Sequence, residues 1–557
     1  MKSVLYGSAA LFIAGPAAAL SCDGLTPEAL GLTGVTFTEV AAIPAGDDSP
    51  VAQCRVRGRM AERTGTDGRE YALSFELALP DDWNGDFVHQ FNGGNDGVVK
   101  PATGALESGT GDTSPLGRGF AVISSDAGHD GALVTDRGLA GGSAFGHDFE
   151  ARQMYGYKAV ATLQPVAEQM VTGFYERPVG HSYGIGCSNG GRHAMVAAAR
   201  MPAAFDGLLI GAPGFNLPRA GLQHALDVQT FVSAIPETST GVPSAALRTA
   251  FSQQDLRLVA DGILESCDML DGAEDGLVND TAACQQSFDI TTLQCSEGQN
   301  SACLSPAQVT ALQTIHAGPK GADGEQLYAD WSWDPGIAGA DWRFWKLQST
   351  VPPWNELPII AVMGASSLAQ IFTTPPTAVG GTPDDLLQFL LDFDIQTQAG
   401  LIEATSDAFP ESAMQVMAPP GADNPDLAEF RDAGGKMMIY HGVADPVFSV
   451  NDTANWYAKL DQNNGGNAAD FARFYPVPGM NHCHGGPAAD AFDLLTPLIA
   501  WVEDGTPPEP AIAHARADNE DLPEALQNAA RPLCAAPKVA RYTSGPATDA
   551  ASFACEE

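Results

Sequence analysis

The pentapeptide Gly186-Cys187-Ser188-Asn189-Gly190 has the residue types that make a serine hydroxyl into a nucleophile. A G-x-S-x-G between a strand and a helix lets the backbone turn sharply and leaves the serine exposed at the sheet edge, because glycine accepts the close contacts there. Ser188 is the candidate nucleophile. The pattern alone is weak in a chain with 60 glycines. Two further groups follow in the order Ser, Asp, His: Asp445 in His441-Gly442-Val443-Ala444-Asp445-Pro446, and His482 in Pro478-Gly479-Met480-Asn481-His482-Cys483. Asp before Pro is also ordinary turn chemistry, and a histidine in a glycine-rich loop is usually just exposed. All three in order, each beyond a strand pattern, is far less expected by chance. Together they describe a base, His482, that takes the Ser188 proton, and a carboxylate, Asp445, that orients the imidazole. Earlier, Asn92-Gly93-Gly94-Asn95-Asp96-Gly97 leaves a strand pattern as a glycine-rich loop. Such a loop brings backbone N–H groups close to a substrate oxygen, so the N–H groups of Gly94 and Asn189 are the expected oxyanion donors. A plain glycine turn is the alternative.

These residues need a scaffold of strand ends. Residues 34–80 alternate apolar and polar, which predicts antiparallel strands leading into the sheet. Residues 86–91, 119–126, 179–185, 207–211, 436–440 and 471–477 are apolar strand patterns, and residues 149–170 and 491–502 read as helices. The run Ala194-Met195-Val196-Ala197-Ala198-Ala199 after the serine is a good helix former. Alternation of strand and helix predicts an α/β fold with a mostly parallel sheet, an alpha/beta-hydrolase core. From about 215 to 430 that rhythm stops and Trp, Pro and Gly become frequent. The expected organisation is a core of residues 20–214 and 430–557 with a large inserted lid domain, residues 215–429, that makes substrate specificity. Inside it, Cys267-Asp268-Met269-Leu270-Asp271-Gly272-Ala273-Glu274-Asp275-Gly276-Leu277 spaces three carboxylates by three and four residues, with glycines that let the chain curl. That suits a hard cation, although the spacing differs from an EF-hand and a solvated acidic turn is the alternative. His441, His484 and His193 match no zinc spacing and are read as structural.

The 557 residues exceed one ordinary core, and the 44% hydrophobic content is ample for burial. A formal charge of −40, from 68 acids against 28 bases, argues against nucleic acid or an anionic membrane as partner. Residues 1–19 read as a secretory signal, with Lys2, an apolar stretch and Ala17-Ala18-Ala19, and no other run is long enough to span a bilayer. A secreted or periplasmic protein is expected. Cys22 could instead be a lipoprotein cysteine, but Ala19 is not the residue that signal favours. Ten cysteines in an exported chain suit disulfides rather than thiol chemistry, and counting does not give their connectivity.

Cys187 directly before the serine and Cys483 directly after the histidine resemble the paired-cysteine catalytic motif of the tannase and feruloyl esterase family, which includes hydrolases of mono(2-hydroxyethyl) terephthalate. The resemblance runs over nearly the whole mature chain. It implies the disulfides Cys187 with Cys483, Cys22 with Cys54, Cys267 with Cys284, Cys295 with Cys303 and Cys534 with Cys555. It implies a structural calcium ion held by the side chains of Asp268, Asp271 and Asp275 and the carbonyls of Ala273 and Leu277. It implies substrate-binding positions Trp345, Ser367, Phe372 and Phe448, and an aromatic ester as the small-molecule partner. Where the terephthalate monoester hydrolases use a lid arginine for the free carboxylate, Ile359 stands here, with no arginine between Arg343 and Arg431. The expected function is hydrolysis of hydroxycinnamate, gallate or related aromatic esters. A terephthalate monoester hydrolase and a catalytically inactive, calcium-stabilised binding module are the alternatives, and acyl transfer to an alcohol is a further possibility. The intact set of Ser188, Asp445 and His482 disfavours the inactive module.

Overall fold

A computed structural model describes residues 21–132, 135–235, 244–296, 302–352 and 354–557; the secretory signal expected at 1–19 lies outside the described residues. Nine strands form the main sheet: β1 Val35–Ile43, β2 Gln53–Thr64, β3 Glu70–Pro80, β4 Phe87–Gln90, β5 Ala121–Ser125, β6 Ser182–Cys187, β7 Gly207–Gly211, β8 Lys436–Gly442 and β9 Ala472–Val477. Their spatial order is β1-β2-β3-β5-β4-β6-β7-β8-β9. β1, β2 and β3 pair antiparallel, β3 pairs antiparallel with β5, and every pair from β5 to β9 is parallel.

The two kinds of strand have the patterns that physics assigns them. β2 alternates buried and exposed positions, as an antiparallel strand with one wet face must, whereas all five residues of β7 are buried, as parallel strands covered on both faces are. Within β7 the period of two still operates. Leu208 and Ile210 join a core with Ala194, Met195 and Ala197 from the helix Asn189–Arg200. Leu209 faces the opposite core with Leu495, Leu498 and Trp501 from the helix Leu495–Glu503. Register brings the functional ends together: Cys187 lies opposite Gly211, Gly211 opposite Tyr440, and Gly442 opposite Val477.

Two helices differ from the sequence reading. The one expected at 149–170 is Phe149–Gln153, a π turn Met154–Lys158, and Ala159–Tyr175. The wide turn leaves carbonyls of Tyr155 and Gly156 to accept from Arg192, each at 2.8 Å. The one expected at 491–502 begins only at Leu495, because Ala491 N–H donates to His514 at 3.0 Å and Asp493 caps Thr496 N–H at 2.9 Å.

Between β7 and β8 the described residues contain helices and no strand of the sheet, including Leu217–Ser233, Gln253–Cys267, Pro306–Ala317 and Ile359–Gln370. They share one core that contains Val228, Phe231, Ile263, Leu312, Ile360 and Leu368. After β9 the chain forms two small antiparallel pairs, β10 Ala511–His514 with β11 Ala530–Leu533 and β12 Val539–Tyr542 with β13 Phe553–Glu556. Arg541 donates to Leu270 O at 2.9 Å and pairs with Asp280 at 2.6 Å, which docks this C-terminal segment on the acidic loop of the inserted block. All ten cysteines are paired, Cys22–Cys54, Cys187–Cys483, Cys267–Cys284, Cys295–Cys303 and Cys534–Cys555, as the resemblance implies. Among the described residues no helix is long and apolar enough to cross a membrane.

Candidate active site

Ser188 stands between β6 and its helix at φ +64° and ψ −126°, a backbone conformation that L side chains rarely adopt. Gly186 and Gly190 permit the turn by absence. A Cβ on Gly190 would meet Phe91 O at 2.4 Å, and one on Gly186 would meet Gly190 Cα at 2.8 Å. Ser188 N–H donates to Gly211 O at 3.0 Å, so the turn is hung on the next strand end.

Asp445 follows β8, and its Oδ1 accepts from Val447 and Phe448 N–H at 2.7 and 3.1 Å. Its Oδ2 lies 2.7 Å from His482 Nδ1 and 3.3 Å from His441 Nε2. Burial alone would push this carboxyl up. Its electrostatic interaction with the His482 ring, with hydrogen bonds from His441 and His482, instead holds it well below the usual carboxylate range. A lowered pKa contributes stability above the unfolded carboxyl value of about 3.9 and loses it as pH falls through the folded value, so Asp445 stays ionised at neutral pH.

With Nδ1 engaged by Asp445, His482 presents Nε2, which is buried and has no hydrogen-bond partner. The Ser188 hydroxyl is not bonded to it in this state, a looseness common before substrate tightens such contacts. The ring is wedged edge-on between Trp345 and Phe448, with centroids 5.1 and 5.5 Å away. The Cys187–Cys483 bond, with Cα atoms 6.1 Å apart, ties the residue before Ser188 to the residue after His482.

One cavity collects most of the sequence-predicted positions. Gly94, Ser188, Asn189, Trp345, Ser367, Phe372 and Phe448 all line it, with Ile359 among the apolar residues around them. The Gly93–Gly94 loop presses on the Ser188 turn, the elbow between β6 and the helix Asn189–Arg200, since a Cβ on Gly93 would lie 3.7 Å from Ser188 Cβ. Gly94 adopts φ +65°, natural for glycine, and Asn189 N–H opens its helix with no intrahelical acceptor. Ser367 is bridged to the same loop, accepting from Asn95 Nδ2 at 3.0 Å. Lining residues not singled out from sequence include Tyr155, Leu217, His224, Ile360 and Met363.

The cavity is electrically neutral. Among the described residues, no Lys, Arg, Asp or Glu lines it. Lys346, the nearest candidate cation in sequence, is buried elsewhere, 2.5 Å from Asp227 and 4.2 Å over the Trp331 ring. Burial pushes His224 down to about 3, so it is neutral, with Nε2 3.2 Å from Val447 O. A larger apolar cavity lies behind β9 between Phe474, Val477, Leu277 and Leu533, but none of Ser188, Asp445 and His482 lines it.

In the acidic loop, Asp268, Asp271 and Asp275 are all buried. Asp268 accepts from the N–H groups of Asp275 and Gly276, and Asp271 from Ala273 N–H and Asn279. Asp275 pairs with Arg531. Burial, with the neighbouring Asp275 and Asp271 charges, lifts Asp268 to about 6. Among the described residues the only three potential ligands whose atoms all lie within 4.8 Å of one another are Asp86, His181 and Glu503, at the N-terminal ends of the central strands β4 and β6, away from the Ser188 end.

A strained serine at a strand-to-helix turn, beyond a mostly parallel sheet, with a paired aspartate and histidine beyond the ends of β8 and β9, defines an alpha/beta-hydrolase. The family model described as tannase and feruloyl esterase matches residues 54–556. The mono(2-hydroxyethyl) terephthalate hydrolase of Piscinibacter sakaiensis is 41% identical over 522 residues, covering 90% of this chain and 84% of that protein. A probable feruloyl esterase of Arthroderma benhamiae is 28% identical, covering 95% and 91%. The crystal structure of feruloyl esterase B from Aspergillus oryzae shares the fold with a TM-score of 0.71 at 23% identity, covering 94% of this chain and 97% of that one. The chain belongs to the tannase and feruloyl esterase family and is a carboxylic ester hydrolase.

Proposed function

We propose that this enzyme is an exported serine esterase that prefers uncharged aromatic esters, such as hydroxycinnamate or gallate esters. The observation that carries the substrate class is the neutral cavity at Ser188, walled by Trp345, Phe372 and Phe448 with Ile359 facing the same space. Flat acyl groups suit aromatic walls. A substrate carboxylate would be desolvated there with no cation to receive it.

His482 Nε2 takes the Ser188 proton as that oxygen attacks the ester carbonyl, and ionised Asp445 stabilises the imidazolium. The N–H groups of Gly94 and Asn189 hold the oxyanion. His482 returns the proton to the departing alcohol, leaving an acyl-Ser188. Water, deprotonated by His482, then releases the acid and restores the serine. Residues 215–429 serve as the lid, supplying Trp345, Ser367 and Phe372 to the acyl pocket.

Catalytic efficiency measured on methyl ferulate, methyl gallate and mono(2-hydroxyethyl) terephthalate is expected to favour a neutral ester over the monoester by about tenfold or more, the scale of one lost charge-assisted pair. Ile359→Arg is expected to narrow that ratio. A wild-type preference for the monoester would overturn the assignment.

Of the buried carboxylates Asp268, Asp271 and Asp275, only Asp275 pairs with a guanidinium, that of Arg531; among the described residues Asp268 and Asp271 accept from N–H groups and have no ion pair. That charge balance fits a divalent cation, held by these side chains with the carbonyls of Ala273 and Leu277; calcium, a hard ion, suits such oxygens. Its role is stabilising the loop on which the C-terminal segment docks. Chelation with EGTA is expected to lower Tm while the kcat of surviving enzyme changes little, and calcium should restore Tm. Protein prepared in calcium that carries no bound ion by elemental analysis would contradict the site. Five disulfides support an exported destination, secreted or periplasmic.

A further inference from the structure

Behind the proposed oxyanion hole lies a buried polar circuit that the reaction does not use directly. Asp96, two residues after Gly94, has φ +54° and a buried side chain, only 2% exposed. Its Oδ2 accepts from Asn189 Nδ2 at 2.8 Å and lies 2.9 Å from His193 Nε2. Asn189 Oδ1 accepts from Arg192 Nε at 2.6 Å, and Arg192 donates to Tyr155 O and Gly156 O. The circuit closes where Tyr155 O–H donates to Gly94 O at 3.3 Å. Burial holds His193 well below its ordinary value, so it is neutral and donates from Nε2. Asp96 is thus bonded both to the side chain of one oxyanion donor and, through its own backbone, to the loop that carries the other.

We propose that Asp96 is a positioning residue that fixes the distance between the Gly94 and Asn189 N–H groups by holding the glycine-rich loop against the elbow helix. The inference rests on the reading of those two N–H groups as oxyanion donors. Donor spacing matters for the tetrahedral oxyanion far more than for the ground-state carbonyl, so the effect falls on turnover rather than on substrate binding. A buried carboxylate is an expensive tether, and its cost is offset because its contacts join the two halves of one site.

Asp96→Ala is expected to lower kcat about 10- to 100-fold with KM within about threefold, the scale of a displacement of about 1 Å in a catalytic group. Asp96→Asn keeps an acceptor oxygen towards Asn189 and His193 and should recover most of the loss. Asn189→Ala retains its own N–H but loses the tether, so it should match Asp96→Ala, and the double variant should be no worse than the lower single. Affinity for a trifluoromethyl ketone analogue of the substrate, which presents a tetrahedral oxyanion, should fall by the same factor as kcat. If Asp96→Ala fails to fold, Asn189→Ala alone decides. Unchanged kcat in Asn189→Ala, a loss confined to KM, or an Asp96→Asn variant as slow as Asp96→Ala would overturn the proposal. Ser188→Ala separates the two levels. If that control is inactive while the Asp96 and Asn189 variants keep wild-type kcat, this inference alone fails; if the control stays active, the reading of the site itself fails.

Discussion

Ser188→Ala is expected to hydrolyse methyl ferulate about 10⁴-fold or more slower than the parent enzyme while unfolding at nearly the same temperature, the scale seen when a triad nucleophile is removed. The two halves of this expectation have separate causes. The hydroxyl supplies the attacking oxygen, so nothing replaces it. The same hydroxyl donates no hydrogen bond to His482, whose Nε2 has no partner, so its loss breaks no contact between them. The strained turn is set by Gly186, Gly190 and the Ser188 N–H bond to Gly211, all of which survive the substitution. His482→Ala and Asp445→Asn should each lose most activity as well, and combining them with Ser188→Ala should add little, because the three act as one unit. Kinetics on the singles and the triple, with calorimetry for folding, checks this.

Replacing Cys187 and Cys483 together by alanine should lower both stability and turnover. The bond joins residues 296 apart in sequence, which in the chain-entropy model constrains the unfolded state by about 6 kcal/mol. Stability is the less specific half. The bond also joins the residue before the nucleophile to the residue after the base, and nothing else covalent links those loops. Its removal frees Ser188 and His482 to drift apart, and a drift of about 1 Å costs about 10²-fold in rate. The denaturation midpoint and kcat should therefore fall together in the double variant. Peptide mapping that found either cysteine as a free thiol in the native enzyme would contradict this account.

The strands that hold these residues were legible because buried parallel strands are continuous apolar runs. Gly207–Gly211 is found where its pattern lies, and the strand after 436 differs only by extending through His441 and Gly442. β6 begins at Ser182 rather than 179, since His181 N–H is taken by Asp86 at 2.9 Å. The acyl pocket was harder to read. Ile360, Met363 and Ser367 are spaced for one face of the helix Ile359–Gln370, but that helix is buried nearly all round, so no apolar stripe marks a face. Paired groups far apart in sequence were invisible to periodicity. Asp96 and Asn189 are 93 residues apart, and Arg531 meets Asp275 across 256. From the sequence Asp96 is part of a glycine-rich turn and His193 a structural histidine; only the fold brings Asn189 and His193 to the same Asp96 oxygen.

Covalent trapping of the acyl-enzyme tests the central claim most directly. The enzyme would be quenched in acid during steady-state turnover of p-nitrophenyl ferulate, reduced, digested and mapped by mass spectrometry. One feruloyl group is expected on the peptide containing Ser188, absent from Ser188→Ala and matched by a burst of p-nitrophenol near one equivalent. A burst accompanied by acylation of a different residue, or turnover with no covalent adduct and no burst while hydrolysis of the acyl group is independently shown to be slow, would contradict the serine nucleophile.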